Sequence, residues 1–525
     1  MTRLLVQEYF EKLGNTLTSG GCSSLCIVMG DTMVTNEIQP KPVKYSTTFT
    51  ILALIIGGVL GFATNLIGKP LYIFIGVAGI VFFIVSVFSV ETGLLVLFFL
   101  TFTRFSDIAI YYHNAPSLAK SYILVLGIVI LIRWVVFRER PEGWQRAFVL
   151  IGIYGLVLAT SLFYASNTKM VSDSLSDFVK NAFIAIIIIA LLKNSARLKL
   201  VIWSLLFSGI FLGSISVYQY LTGAFENNFW GFAQSKFMQY AGAIEGYRIS
   251  GPIGDPNFYA AVMVVLVPLA LERVLNERNR ALRLLAAWAL GVISLTVVFT
   301  YSRGGFVALC AAVFAWFVLY PPRLKYLPFL FLLGVAILML IPQEYLARIT
   351  SLGELVSAPS VGFRTQDYAL RGRASETLAG LEMIKKNPIL GVGLNNYVVH
   401  YQEYAKSIGL APTASDRAAH NLYIEVAAET GLVGFTAFAA LLWTMARNII
   451  SSWKKLKRAG NDRLASMVAA LGASTFGYLI ASVFIHAAYP RYFWLLVGIA
   501  FSIPNIVKNE IKIHPYPSLQ VDADG

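Results

Sequence analysis

Residues 283–321 read RLLAAWALGVISLTVVFTYSRGGFVALCAAVFAWFVLYP. Two apolar runs, 283–301 and 304–321, are separated only by Ser302 and Arg303. Each is long enough to cross a hydrocarbon layer of about 30 Å as a helix. The stretch therefore predicts a hairpin of membrane-spanning helices with one guanidinium at its turn.

The pattern continues in both directions. Spans are expected at 48–66, 70–89, 91–103, 120–137, 146–165, 178–192, 199–221, 257–275, 326–342, 424–447, 465–487 and 490–507, which makes fourteen with the opening pair. The third is short and only Glu91 divides it from the second, so one span fewer, or a re-entrant pair, stays open there. Composition agrees, with 57% apolar and 13% charged residues and a mean hydropathy of +0.67. The fold class is all-α: a polytopic integral membrane protein of about 12–14 transmembrane helices. A single soluble core is excluded.

Basic residues in short loops set the orientation, because such loops stay on the cytoplasmic side during insertion. Arg133, Arg138, Arg140 and Arg146 mark one of these loops, and Lys193, Arg197 and Lys199 the next. Arg273, Arg278, Arg280 and Arg283 mark a third, followed by Arg323 with Lys325 and by Lys454, Lys455, Lys457, Arg458 and Arg463. Both termini are then expected inside. The net charge of +14 reads as a topology signal and not as a nucleic-acid surface.

The expected division is a cytoplasmic extension over 1–45, spans over 46–342, a large external loop over 343–423, spans over 424–507 and a cytoplasmic tail over 508–525. Residues 1–45 lack the charged start and apolar run of a cleaved signal. Cys22, Cys26 and Cys310 form no disulfide framework and no zinc pattern.

Two external segments exceed what a connection needs, 222–256 and 343–423, and long loops of this kind usually carry function. In the second, Leu378, Leu381 and Ile384 recur at helical spacing until Asn387-Pro388 stops them, and 395–404 reads as another short helix. A helical external subdomain is expected. The Gly391-Val392-Gly393 stretch reads first as a turn between these helices, with a phosphate cradle as the alternative.

Polar residues with chemical potential are few. Arg303 sits at the edge of the bilayer, where an unpaired cation is costly and an anionic partner is expected, although snorkelling to headgroups is the plain alternative. Gly304-Gly305 would let the backbone approach a ligand. Arg248 precedes Gly251-Pro252 and is open to pairing with Glu245 or Asp255 in an ordinary loop. His420 stands just before a span, with Asn421 placed to cap it, and nearby cations would hold the imidazole neutral. Its plain alternative is a structural histidine. His400 is a weaker rival. Glu425 and Glu429, one turn apart, either orient His420 or complement the helix dipole. Arg364, Arg371 and Arg373 are balanced by acids that include Glu376, so salt bridging is the default there.

Arg248-Ile249-Ser250-Gly251-Pro252, Asp255-Pro256-Asn257, Ser302-Arg303-Gly304-Gly305, Gly391-Val392-Gly393-Leu394-Asn395 and His420-Asn421-Leu422-Tyr423 occur in an order that resembles the O-antigen ligase and polymerase superfamily. The resemblance covers roughly residues 200–490. It implies a multi-pass protein of the bacterial inner membrane that moves a glycan from an undecaprenyl-diphosphate carrier to an acceptor hydroxyl on the external side. The acceptor would be lipid-linked in a ligase and another glycan repeat in a polymerase. By match, Arg248 and Arg303 would hold the diphosphate and His420 would serve the acceptor. Asn421, Tyr397 and Arg371 join them as candidate substrate contacts. The long loop between Arg303 and His420 and the N-terminal extension depart from compact ligases.

The chemistry supports the same residues. A sugar on a lipid diphosphate is already activated, so transfer needs the leaving charge stabilised and the attacking hydroxyl deprotonated. Planar guanidinium groups match phosphate oxygens bidentately. Neither a metal nor a cofactor is expected, since the external loops show no ligand spacing for one. One base and no obvious carboxylate nucleophile predict direct displacement with inversion. A secondary transporter is the competing class, and a non-catalytic receptor for lipid-linked glycan a third.

Overall fold

In the computed structural model, the described residues run from 89 to 513, without 116, 137, 139–142, 241–243, 322–327, 329–330, 333–334, 336–367, 411–416 and 486–489, and include Val85 besides. They all belong to the unit 76–525; the unit 1–75 lies outside them. The expected extension 1–45, the span 48–66, most of 70–89 and of 326–342, and the tail beyond 513 therefore fall outside the described residues.

Helices dominate what is described. The opening stretch forms α9 (Arg280–Phe299) and α10 (Arg303–Leu319), which are counted after α1 (Val90–Phe102), α2 (Phe105–His113), α3 (Leu118–Val135), α4 (Trp144–Thr160), α5 (Thr168–Leu191), α6 (Ser195–Thr222), α7 (Pro256–Val264) and α8 (Leu266–Asn276). Then follow α11 (Tyr368–Lys386), α12 (Tyr397–Ser407), α13 (Leu422–Arg458), α14 (Asp462–Ala481) and α15 (Arg491–Ile513). Among the described residues eight helical segments are long and apolar enough to cross a membrane, or nine if α1 and α2 count as one span bent by 53°. Arg104 stands in the left-handed region at this bend. The division at Glu91 from the expected span 70–89 lies mostly outside the described residues.

Polar side chains set the helix starts. Asn167, Asn194, Asn279, Ser302, Asn421 and Asn461 each accept hydrogen bonds from amides of the first turn, and each such cap is worth about 1 kcal/mol. The interior between helices is apolar and aromatic, with Tyr154, Phe178, Phe438, Phe493 and Trp494 packed ring to ring. Exposed Trp288 and Trp443 lie on the outer faces of spans and Phe314 on that of α10, a shorter apolar helix of 17 residues, where lipid is the solvent. Gly209 and Gly213 let α6 close on α8 and α9, since a Cβ at Gly209 would stand 2.5 Å from Leu266 and one at Gly213 3.1 Å from Val292.

The helices alternate between two ends of one layer. At one end Arg273 binds Glu272 (2.6 Å) and Glu277 (3.1 Å), Lys199 binds Glu277 (3.0 Å), and Ser466 donates to Glu272 (2.7 Å). Tyr320 and Lys457 meet Asp462 at that same end. The starts of α7, α10 and α13 and the ends of α6, α9 and α14 lie at the opposite end.

Two features depart from the sequence reading. Residues 222–256 contain a two-stranded antiparallel hairpin, β1 (Gln234–Tyr240) and β2 (Ile244–Gly251), in register Lys236↔Arg248 and Phe237↔Tyr247. The expected span 424–447 is part of a longer helix, and it is interrupted at Gly431 (φ 59°, ψ −163°). The backbone groups freed by that break are satisfied by the loop before α12. Val392 N and Gly393 N donate to the carbonyls of Ala428 (2.9 Å) and Glu429 (2.8 Å), while Leu432 N and Val433 N donate to those of Pro388 (2.8 Å) and Ile389 (3.2 Å).

Gly391 through Gly393 is thus a clamp on a broken helix, and the turn reading stands against the phosphate cradle. Gly391 has φ 73°, and a Cβ there would lie 2.4 Å from the Glu429 carbonyl carbon. Gly391→Ala is expected to destabilise the protein by more than the 1–3 kcal/mol typical of a strained backbone position, because backbone must also move aside. Thermal unfolding of detergent-purified protein checks this; an unchanged midpoint would remove the clamp from the account.

Over its described residues, the segment expected to form an external subdomain is helical. α11 ends at Lys386 before Asn387-Pro388, and α12 starts one residue after Asn396. Its own small core gathers Ala379, Met383, Tyr397, Tyr401 and Tyr404 against Ala419 and Ala428. The buried face of α11 is the row Glu376, Ala379, Met383, whereas Leu378 and Leu381 are 37% and 50% exposed. The apolar spacing found the helix but not its inner face. The subdomain is tied to the turn between α4 and α5. Asn396 Oδ1 accepts from Asn167 N (2.8 Å), Ser161 Oγ accepts from Leu394 N (3.1 Å) and Tyr164 donates to the Leu390 carbonyl (2.6 Å).

Candidate active site

Arg248 stands on β2, not in a loop, and is 3% exposed. Its Nε donates to the Thr300 carbonyl (2.8 Å) and its Nη2 to Asn257 Oδ1 (2.9 Å). Both acceptors are neutral. Asp255, an expected alternative partner, instead caps α7 by accepting from Phe258 N (2.7 Å). The side chain of Glu245 lies outside the described residues.

Arg303 is the first residue of α10 and is 5% exposed. The turn that delivers it runs from Thr300, the residue Arg248 holds, through Tyr301 at φ 53° to Ser302, whose Oγ accepts from Gly305 N (3.1 Å). Gly304 and Gly305 do not open onto a ligand as the sequence suggested. A Cβ at Gly304 would stand 2.7 Å from Phe484, and one at Gly305 2.6 Å from Ala260, so both serve close helix packing.

His420 lies at the same end, on the turn before α13. Leu422 N donates to the Ser482 carbonyl (2.9 Å), two residues before the Phe484 that covers Gly304. The His420 turn and the Arg303 turn therefore both pack against the segment that ends α14. Asn421 caps α13 as read, with Oδ1 accepting from Tyr423 N (3.0 Å) and Ile424 N (3.2 Å). His420 adopts φ 45°, so it and Tyr301 are both non-glycine residues in the left-handed region beside motif positions. Such backbone tends to collect at sites where geometry is held for function.

A carboxylate joins the expected cations around His420 and outweighs them. Its Nδ1 lies 3.1 Å from the Ala418 carbonyl and 3.2 Å from Oε2 of Glu376. The Glu376 carboxylate holds the imidazole pKa above its usual value, against burial and the Arg373 guanidinium, which act the other way. At rest the ring therefore favours its charged form more than a free histidine does.

The remaining candidates separate. Tyr397 is 1% exposed and its hydroxyl donates to the Glu376 carbonyl, so its ring is subdomain core and is not presented to a sugar. Arg371 lies on α11, and its side chain is outside the described part. His400 binds Ser166 Oγ (2.9 Å) and Glu403 (3.3 Å), which makes it part of the seam to the α4–α5 turn. Glu425 and Glu429 are buried at 9% and 1% exposure, and Glu429 Oε1 faces Tyr397 N at 3.4 Å. They point into protein and not at the solvent end of the dipole. Among the described residues no three His, Cys, Asp or Glu side chains are grouped to hold a metal ion.

Residues 286–439, which include Arg303, Gly391 to Gly393 and His420, match the family model described as O-antigen ligase. That match supports membership of the O-antigen ligase superfamily. No curated protein matches the chain. The match supports a membrane enzyme of the O-antigen ligase and polymerase type in general, and the apolar helices a multi-pass one. Arg248 precedes the matched residues, and its hydrogen bond to Thr300 ties it to them.

Sequence reasoning read Glu376 only as a salt-bridging acid, and passed over Arg417 and the hydrogen-bonding part of Asn257. One signal was present. Glu376 falls in line with Ala379 and Met383 at helical spacing, and a charged residue within a small-apolar row marks a buried partner.

Proposed function

We propose that this superfamily member transfers a glycan from an undecaprenyl-diphosphate carrier to an acceptor hydroxyl at the outer face of the bacterial inner membrane. The observation that carries the reading is the meeting of three motif turns at one end of the helical layer: Arg248 on the Thr300 turn, Arg303 at its close, and His420 joined to them through residues 482–484. Basic loops at the opposite end support an external position for these turns.

Arg248 and Arg303 take the donor diphosphate, whose charge grows as the glycosyl bond breaks, and their planar donors suit its oxygens. His420 Nε2 accepts the proton of the acceptor hydroxyl as that oxygen attacks the anomeric carbon from the face opposite the diphosphate. The new glycosyl–oxygen bond forms, the old one breaks, and its electron pair leaves on the diphosphate. Inversion follows from a single displacement, and the arginines make a metal dispensable.

A transport site would use a helix break to line a cavity. The break at Gly431 is closed by four main-chain hydrogen bonds from the 388–393 loop, which weighs against that alternative. Deleting the gene and resolving surface glycans by gel distinguishes the remaining readings. Loss of glycan attachment is expected for a ligase and single-repeat products for a polymerase; an unaltered pattern would overturn the proposal.

A further inference from the structure

Glu376 stands 44 residues before His420 in sequence and belongs to another element, yet its carboxylate reaches the imidazole. It is 2% exposed, on the inner row of α11. Its Oε1 accepts from Arg417 Nη1 (3.2 Å), its main-chain carbonyl accepts from the Tyr397 hydroxyl, and Oε2 lies 3.2 Å from His420 Nδ1. A glycine one turn earlier makes room for the guanidinium, since a Cβ at Gly372 would lie 2.3 Å from Arg417 Nη1. A carboxylate removed from water needs such a partner to keep its charge.

Beside His420 Nδ1, among the described residues, stand the Ala418 carbonyl and a Glu376 carboxylate oxygen, both acceptors. The Ala418 carbonyl takes the aligned hydrogen bond, and the carboxylate oxygen sits beside it at ion-pair distance, off the line of a good hydrogen bond. In the neutral ring Nδ1 must therefore carry the hydrogen, which leaves Nε2 with its lone pair. We infer that Glu376 is the positioning residue of the catalytic histidine: it fixes the tautomer with Nε2 as the base and stabilises the imidazolium formed when Nε2 takes the acceptor proton. Arg417 in turn holds the carboxylate.

This rests on the glycan-transfer reading and assigns the external subdomain a part in it, because α11 supplies the carboxylate while α13 carries the base. The acceptor O–H bond breaks to Nε2 as the glycosyl–oxygen bond forms and the diphosphate departs; the imidazolium then returns its proton to solvent. Facing the imidazole are Glu376 and Arg373 from α11, with Arg417 behind the carboxylate.

The test uses full-length protein in detergent with a lipid-linked glycan donor and its acceptor. Glu376→Gln keeps the shape and removes the charge. Its kcat should fall by about 10²- to 10⁴-fold, the range for a positioned general base, with donor KM within about twofold. The acidic limb of its pH profile should move to lower pH, because the group that raised the histidine pKa is gone. Glu376→Asp should recover part of kcat, and Glu376→Gln added to His420→Asn should cost nothing further. Wild-type kcat with an unmoved limb in Glu376→Gln, beside an inactive His420→Asn, would overturn this inference alone. A drop in kcat that Glu376→Asp does not relieve, accompanied by a lower unfolding temperature and an unmoved limb, would also overturn it, in favour of a structural role. Full activity in His420→Asn would overturn the parent reading and this one with it.

Discussion

Replacing His420 with alanine is expected to reduce glycan transfer by purified protein by about 10²- to 10⁴-fold, the contribution of a positioned general base. The loss should fall on kcat, because the arginines that receive the donor remain. Alanine tolerates the left-handed backbone of this residue (φ 45°) poorly, so a fall in activity could arise from a shifted turn. His420→Asn separates the two causes, since asparagine adopts that region readily but has no base. Equal loss in both variants with unchanged unfolding temperatures assigns the effect to the imidazole; undiminished turnover in either removes His420 as the base.

The same residue sets the direction of the pH dependence. Glu376 raises the histidine pKa above the ordinary value near 6.5, and the base must be neutral to act. Transfer should therefore rise with pH through a value above the ordinary histidine pKa, and fall as pH drops below it.

Much of this site was open to reading because its signals are local. The spans follow from uninterrupted apolar runs, and Asn421 follows from one polar residue placed directly before such a run. Arg303 stood out as a guanidinium between two spans. What escaped depends on contacts distant in the chain. The break at Gly431 lies inside a run whose composition suits a continuous helix, and the hydrogen bonds that permit it come from residues 388–393. The hairpin that carries Arg248 is short, and its register rests on cross-strand pairs such as Phe237 with Tyr247, which no single strand reveals. The Arg373 cation near His420 is outweighed by a carboxylate because α11 folds back over the turn, and the row that brings Glu376 inward is offset by one or two positions from the leucines that mark the helix. Local pattern found the elements, while the electrostatics of the site came from how they pack.

Arg303→Lys is expected to lower kcat for transfer by roughly 10- to 100-fold, although the charge is retained. A hydrogen bond to a charged group is worth about 1.5–3 kcal/mol, and each 1.36 kcal/mol lost from the transition state is tenfold in rate. Lysine presents a compact ammonium and loses the flat pair of donors that meets two phosphate oxygens together. Arg248 is the poorer probe, because its Nε and Nη2 already hold Thr300 and Asn257, and replacing it would disturb the turn that delivers Arg303. At Arg303 the helix start is secured independently by Ser302. If the arginine only snorkelled to headgroups, lysine would do so equally well and the variant would keep full activity. A loss confined to kcat, with the unfolding temperature unchanged, instead fits a guanidinium that tightens on the diphosphate as its charge develops.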